Sequence, residues 1–294
     1  AGSLARAGSP AAQDAFLVQR LRAAGAIIIG KANLSEWANF RSRNSISGWS
    51  ARGGLVRNPY AINRSAAGSS SGSAAAVSAN LAAVAIGTET NGSIVSPASY
   101  CGVVGFKPTL GWVSRHGIIP IAASQDTAGP MTRTVRDAAL VLNAIAGVDA
   151  RDPATQVDSR PKEIDFTSEL RIDALRGARI GIARDLFPRH PKLDPIFAST
   201  VDALRKAGAE VVDPVQFPAR DGPGGPSYRV MLYEFKAGLN AYLQERQPAA
   251  PIRSLADLIA FNERHADREL ALFGQDVLIE SEAMGPLTDR KSVV

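Results

Sequence analysis

Cysteine is almost missing from this chain. Cys101 is the single one in 294 residues, so no disulfide can close within it. Histidine is scarce too. His116, His190 and His265 lie far apart and have no metal-ligand spacing, so neither a metal centre nor a cofactor is expected. There is no run of five basic residues, and the net charge of +5 is spread over 33 Lys and Arg among 28 Asp and Glu. Such scatter reads as solvated surface and argues against a nucleic-acid partner. Long apolar runs are absent. The longest, such as residues 81–87, are far too short to cross a bilayer, so no membrane span is expected. The chain opens in mid-pattern at Ala1-Gly2-Ser3 without a methionine and reads as a fragment cut at both ends.

What is present is a hydrophobic fraction of 45%, enough for a large core. Residues 13–25 carry Phe16, Leu17, Leu21 and Ala24 at helical spacing, with Gly25 as the stop. Ala26-Ile27-Ile28-Ile29 follows as an expected short buried strand. Residues 37–67 are turn-rich, and loops of this length inside a domain are often functional. A helix is expected from Ala74, a strand at residues 84–87 and another at 101–106, where Cys101 reads as a buried thiol. Thr134 caps an amphipathic helix over residues 134–147. After a polar connection at 149–162, strand, helix and strand are expected at 178–183, 193–207 and 210–215. Helical stretches at 228–246 and 254–282 close the pattern. The class is α/β, with a large mixed sheet covered by helices on both faces. Residues 1–288 read as one partial domain, and 289–294 as a non-native tail.

Gly68-Ser69-Ser70-Ser71-Gly72-Ser73 invites three local readings. A flexible linker fails because helix-forming sequence follows at once. A phosphate loop needs a lysine after the last glycine, and Ser73 stands there. The segment fits the G-x-S-x-G elbow formally, with Ser70 at its centre, but residues 63–67 do not read as the strand an elbow requires. The preferred reading joins two segments. A serine hydroxyl is a weak nucleophile until a neighbour takes its proton. It also needs N–H groups aimed at the developing oxyanion. The small residues of Thr90-Asn91-Gly92-Ser93 permit a tight turn of that kind.

These segments carry a family resemblance. Ala67-Gly68-Ser69-Ser70-Ser71-Gly72-Ser73-Ala74-Ala75-Ala76-Val77 and Ile86-Gly87-Thr88-Glu89-Thr90-Asn91-Gly92-Ser93-Ile94 resemble the motifs of the amidase-signature family. So does Cys101-Gly102-Val103-Val104-Gly105-Phe106-Lys107-Pro108-Thr109. Ser69 and Ser93 stand 24 residues apart, the spacing of that family. Asn33-Leu34-Ser35-Glu36-Trp37-Ala38-Asn39-Phe40-Arg41 and Ser124-Gln125-Asp126-Thr127-Ala128-Gly129-Pro130-Met131 are similar to its peptide amidase subgroup. The resemblance implies a Ser–cis-Ser–Lys mechanism on a small-molecule or peptide carboxamide. Ser93 would be the nucleophile, Ser69 the proton relay after a cis peptide bond, and the N–H groups of Thr90, Asn91, Gly92 and Ser93 the oxyanion hole. An acyl-enzyme forms and ammonia leaves.

Departures from the family pattern set further expectations. The family's lysine belongs to a K-D-N-like motif ahead of the segment matched by Ala1-Gly2-Ser3, and Lys31 and Lys107 match other, structural segments. The chain expressed as it stands is therefore expected to be inactive. Asn91 replaces a glycine, and Val95 stands where many relatives carry an arginine for a substrate carboxylate, which favours a neutral amide. Glu89 reads as a structural hydrogen-bonding residue and His116 as a surface or pocket-rim residue. Two alternatives stay open: the glutamine-hydrolysing component of an amidotransferase, and a catalytically dead amidase-like protein.

Overall fold

The structure is a computed structural model, and it describes every residue except Ser9, 158–164, Pro188, 217–223, 247–249 and 290–294. Helix α1 (Phe16–Ala23) buries Leu17 and Leu21 and ends as Gly25 takes φ 83°. The next residues overturn an expectation. Residues 26–30 belong to no strand among the described residues, and Ile27 and Ile29 are 87% and 72% exposed. A run of β-branched residues has strand propensity but needs a neighbouring strand to satisfy its backbone, and no described strand pairs with it.

The turn-rich region holds a 3-10 turn (Glu36–Asn39), a hairpin of two-residue strands, β1 (Trp49–Ser50) against β2 (Gly54–Leu55), and an isolated bridge between Arg57 and Ser65. The serine-rich segment then enters α2 (Ser71–Ser78), as its alanines favour. Strand β3 (Ala85–Glu89) leads through a tight turn into α3 (Val95–Cys101). That helix was hidden by Pro97, which is tolerated because it sits in the first turn, where no intrahelical N–H bond is lost. Gly102, at φ 64°, ends it as the Val103 N–H returns to the Ala98 carbonyl at 3.0 Å. The strand expected at 101–106 shrinks to β4 (Val104–Gly105).

Strand β5 (Thr127–Thr132) lies between β3 and β4 and is antiparallel to both, in register from Ala85↔Met131 to Glu89↔Thr127. All six of its residues are buried. Helix α4 (Val135–Ile145) follows, with the Thr134 side chain accepting the Asp137 N–H at 3.1 Å as expected of a cap.

Residues 165–223 form a compact unit of their own, separate from the unit made by 1–164 and 224–294. Within it β6 (Arg179–Gly181), α5 (Asp194–Lys206) and β7 (Glu210–Val212) make a parallel β-α-β arrangement, close to the pattern read from sequence. Phe187 stacks on Phe197, with ring centroids 4.5 Å apart.

In the larger unit α6 (Pro226–Arg246) buries Leu232, Phe235, Leu239 and Leu243, spaced three, four and four residues along one face. They pack with Leu255 and Leu258 of α7 (Leu255–Arg264). After the short α8 (Ala266–Glu269), α9 (Asp276–Glu282) adds Val277 and Leu278. Trp37, Phe40 and Ile121 complete this core. A smaller core of Ala66, Ala74, Ile94, Ala98, Cys101 and Met131 lies behind the serine segments. Cys101 is fully buried, as expected, and burial pushes its thiol up.

One charged group is wholly inside. Arg41 bonds Glu36 and donates to the carbonyls of Glu269 (2.5 Å) and Phe273 (3.1 Å). Its guanidinium lies 4.0 Å from the Phe273 ring centroid and 5.4 Å from that of Trp49. Glu269 accepts the Ser3 hydroxyl at 3.0 Å and the Leu4 N–H at 2.6 Å. Two carboxyls thus share one cation. Desolvation first, then the neighbouring Glu269, drives the Glu36 carboxyl well above the ordinary range, against the pull of Arg41.

Two expected outcomes follow from this packing. Arg41→Met leaves buried carboxyls uncompensated and lowers unfolding free energy by about 3–5 kcal/mol, measurable by urea titration. Because folding raises the Glu36 pKa, its favourable contribution is complete below the unfolded carboxylate pKa and is lost as pH rises through the folded value. The urea midpoint therefore falls from acid toward neutral and mildly alkaline pH in the parent, and Glu36→Gln flattens that slope.

A Cβ on Gly72 would lie 2.1 Å from the Asn33 carbonyl oxygen, a backbone atom that cannot repack. Gly72→Ala is expected to cost at least the upper part of the roughly 1–3 kcal/mol range for overpacking, by the same titration.

Candidate active site

Strand β3 ends at Glu89, whose carboxylate organises the turn after it. Oε1 accepts the Gly92 N–H at 2.7 Å, and Oε2 accepts those of Ile94 (2.7 Å) and Val95 (3.0 Å). A carboxylate here satisfies N–H groups that α3 leaves open at its start and complements the helix dipole. Glu89 is 5% exposed and has the structural role read from its sequence context. The left-handed turn residue is Gly92, at φ 86°; Asn91 keeps an ordinary backbone and is exposed.

The serine-rich segment lies against this turn. The Ser70 N–H donates to the Ser93 carbonyl at 3.0 Å. The Ser70 hydroxyl donates to the Thr88 carbonyl (3.1 Å) and accepts the Thr88 N–H (3.0 Å). The Ser73 hydroxyl donates to the Ile86 carbonyl at 2.8 Å. Ser70 thus has both its backbone N–H and its side chain committed to β3 and the turn, and no strand runs into it, so the elbow reading has no support in the geometry.

Ser69 differs. Its peptide bond to Gly68 is cis, its carbonyl accepts the Ser35 N–H at 3.0 Å, and it is fully buried. Its hydroxyl has no hydrogen-bond partner among the described residues. A buried hydroxyl left so is uncommon and calls for an explanation.

Ser69 and Ser93 line one cavity of about 290 Å³. Thr88, Glu89 and Thr90 share that wall, while Asn91 and Gly92 are not part of the lining. The opposite side is Ile118, Ile119, Pro120 and Ile121, with Ala241 and Tyr242 from α6. Arg115 stands at the cavity, held by Asp152 through its N–H (2.8 Å) and Nε (2.9 Å), beside His116. Lys31 and Lys107 are exposed and line no part of it. Among the described residues no cluster of His, Cys, Asp or Glu is arranged to hold a metal ion.

Ala38 also lines the cavity, inside a stretch where Trp37, Ala38 and Asn39 take φ of 48°, 54° and 67°. Left-handed conformations cost non-glycine residues energy and persist where the surroundings impose them. Here the Trp37 N–H bonds the Ala1 carbonyl (2.9 Å) and the Asn39 side chain donates to the Ser47 hydroxyl (3.0 Å).

Asp126 lies in a peptide-amidase-like motif, yet the motif alone assigns it no role. It accepts the Thr90 hydroxyl on Oδ1 at 2.5 Å and the N–H groups of Ile121 (2.7 Å) and Ala122 (2.9 Å) on Oδ2. Burial pushes its carboxyl above the ordinary range despite these bonds. No local signal pairs it with Thr90, which lies 36 positions away and just beyond the last ladder pair, Glu89↔Thr127.

The amidase family model matches residues 1–272. The chain is 44% identical to a probable amidase of Arabidopsis thaliana over 99% of its own length and 56% of that protein. It is 46% identical to the A component of the glutamyl-tRNA(Gln) amidotransferase of Symbiobacterium thermophilum over 67% of this chain and 39% of that one. Among solved structures, the native peptide amidase of Stenotrophomonas maltophilia superposes with a TM-score of 0.92 at 55% identity, covering 99% of this chain and 59% of that one. The likeness thus covers between 39% and 59% of the length of these relatives. With its α/β architecture and both serine motifs in place, the chain belongs to the amidase family.

Proposed function

We propose that this chain carries the nucleophile and the proton relay of an amide hydrolase acting on a neutral carboxamide, a peptide C-terminal amide in particular. The observation that carries the reading is the Ser69 hydroxyl. It is buried, unpartnered among the described residues, and lines the same cavity as Ser93. Such a hydroxyl is not committed to a structural hydrogen bond, which leaves it able to take one proton and pass on another once substrate is bound.

Ser93 attacks the carbonyl carbon of the amide, and its proton passes to Ser69. The negative charge developing on the carbonyl oxygen is met by N–H groups of the turn at Thr90, Asn91, Gly92 and Ser93. The Gly92 N–H, already bonded to Glu89, serves mainly by holding the turn's shape. The C–N bond breaks as the leaving nitrogen takes a proton, so ammonia departs and an ester on Ser93 remains. Water then attacks that ester and releases the carboxylic acid. The family resemblance implies a lysine of a K-D-N-like motif as the base at the end of the relay; Lys31 and Lys107 line no part of the cavity.

Two features favour a peptide-like amide over free glutamine. The cavity wall of Ile118–Ile121 and Tyr242 is apolar, and the likeness to a peptide amidase spans 99% of the chain. The amidotransferase reading draws on the likeness to the Symbiobacterium protein and predicts glutaminase activity instead.

The test is labelling of the complete gene product with a fluorophosphonate, alongside ammonia release from a peptide amide and from glutamine. Labelling is expected to vanish in Ser93→Ala and persist in Ser70→Ala. Ser69→Ala is expected to lower peptide-amide turnover by about 10²–10⁴, the range for positioned proton transfer. Labelling that survives Ser93→Ala and is lost in Ser70→Ala overturns the assignment, and ammonia release from glutamine alone overturns the substrate class.

A further inference from the structure

We propose that Asp126 is a positioning residue that sets the Ser93 turn against the substrate-facing wall; the proposal rests on the hydrolase reading above. Its carboxylate joins two segments, and its backbone leads into a third. One is the turn that carries Ser93, reached through the Thr90 hydroxyl at 2.5 Å. The second is the apolar wall, reached through the N–H groups of Ile121 at 2.7 Å and Ala122 at 2.9 Å. The third is β5, which begins one residue after Asp126 and pairs with β3 along its whole length. The ladder ends at Glu89↔Thr127, so nothing in the sheet fixes Thr90. The Asp126 side chain supplies that tie. It also closes the loop that forms the wall, because the Asp126 N–H bonds the Ala122 carbonyl at 2.8 Å.

The consequence is a fixed distance between two parts that act on one substrate. The turn presents Ser93 and its N–H groups, and the wall presents Ile118–Ile121 to the substrate's apolar portion. Glu89 shapes the turn internally, whereas Asp126 places it relative to the wall. Asp126 takes no part in bond making. Its hydrogen bonds need only acceptors toward Ile121 and Ala122 and a partner for the Thr90 hydroxyl. An asparagine meets both needs, with its oxygen on the two N–H groups and its NH2 donating to Thr90.

The experiment compares Asp126→Ala, Asp126→Asn, Thr90→Val and the Asp126→Ala/Thr90→Val pair in the complete gene product. It measures the fluorophosphonate labelling rate of Ser93, kcat and KM for a peptide amide, and the thermal midpoint of each variant. Misplacement of a reacting group by about 1 Å costs on the order of 10²-fold, so Asp126→Ala is expected to slow labelling and kcat by about that factor. Thr90→Val is expected to slow both by about tenfold, since it cuts only one of the three ties. The pair is expected to be no slower than Asp126→Ala alone, because both changes break one connection. Asp126→Asn is expected to restore labelling to within a few-fold of the parent. Unchanged labelling in folded Asp126→Ala and Thr90→Val overturns the proposal, as do strictly additive losses. Asp126→Asn as slow as Asp126→Ala overturns it by showing that the charge itself is needed. If Asp126→Ala does not fold, Thr90→Val and Asp126→Asn decide. A parent whose label is kept in Ser93→Ala overturns the hydrolase reading, and this proposal with it; a parent labelled at Ser93 leaves the two separable.

Discussion

One side chain stands in for a missing β-strand. Ser70 offers its hydroxyl as both donor and acceptor to the backbone of Thr88, and its own N–H reaches Ser93. Those bonds are the ones a neighbouring strand would make, yet they come from the first turn of a helix. They draw the start of α2 against the end of β3 and bring Ser69 and Ser93 to one cavity. The approach is close enough that Gly87 has no room for a side chain: a Cβ there would lie 2.8 Å from the Met131 sulfur and 3.0 Å from the Ser70 hydroxyl. The small residues around both serines serve this approach as much as the chemistry.

Carboxylates do much of the organising that disulfides or metals do elsewhere. Glu89 gathers three N–H groups at the start of α3, and Asp126 gathers two plus a hydroxyl. Asp152 takes the Arg115 N–H and side chain, and Glu269 ties Ser3 and Leu4 to the C-terminal helices. In each case the acid meets backbone N–H groups that a turn or helix start would otherwise leave open. Strands in the larger unit are short, and these bonds account for how its loops hold position without long ladders.

Legibility in the sequence followed locality. Helices α1 and α4 and the β-α-β of residues 178–215 could be read because their patterns are periodic and bounded by caps or glycine. Strand β5 could not: Gly129 and Pro130 break the pattern, yet it is the middle strand of its sheet, with the Pro130 carbonyl still accepting the Phe106 N–H at 3.1 Å. Ser69 and Ser93 stood out by spacing and resemblance, whereas Ser70 fitted the elbow motif only formally. Its saturation depends on Thr88, eighteen positions on, which no local motif encodes. Asp126 was present in a recognised motif, but its partnership with Thr90 spans 36 positions, which no local motif encodes. The expected strand at Ala26–Ile29 failed for the complementary reason, since propensity names a willing strand without naming its partner.

Those isoleucines also bear on how the isolated chain behaves in solution. Ile27, Ile28 and Ile29 stand on irregular backbone and all present more than a third of their surface to water. Consecutive β-branched residues with no charge or proline among them have the composition of an aggregation-prone segment. Neighbouring Gly30 and Lys31 break the run on one side only. Charge placed within this stretch, remote in sequence from both serines, is expected to improve solubility without touching the cavity.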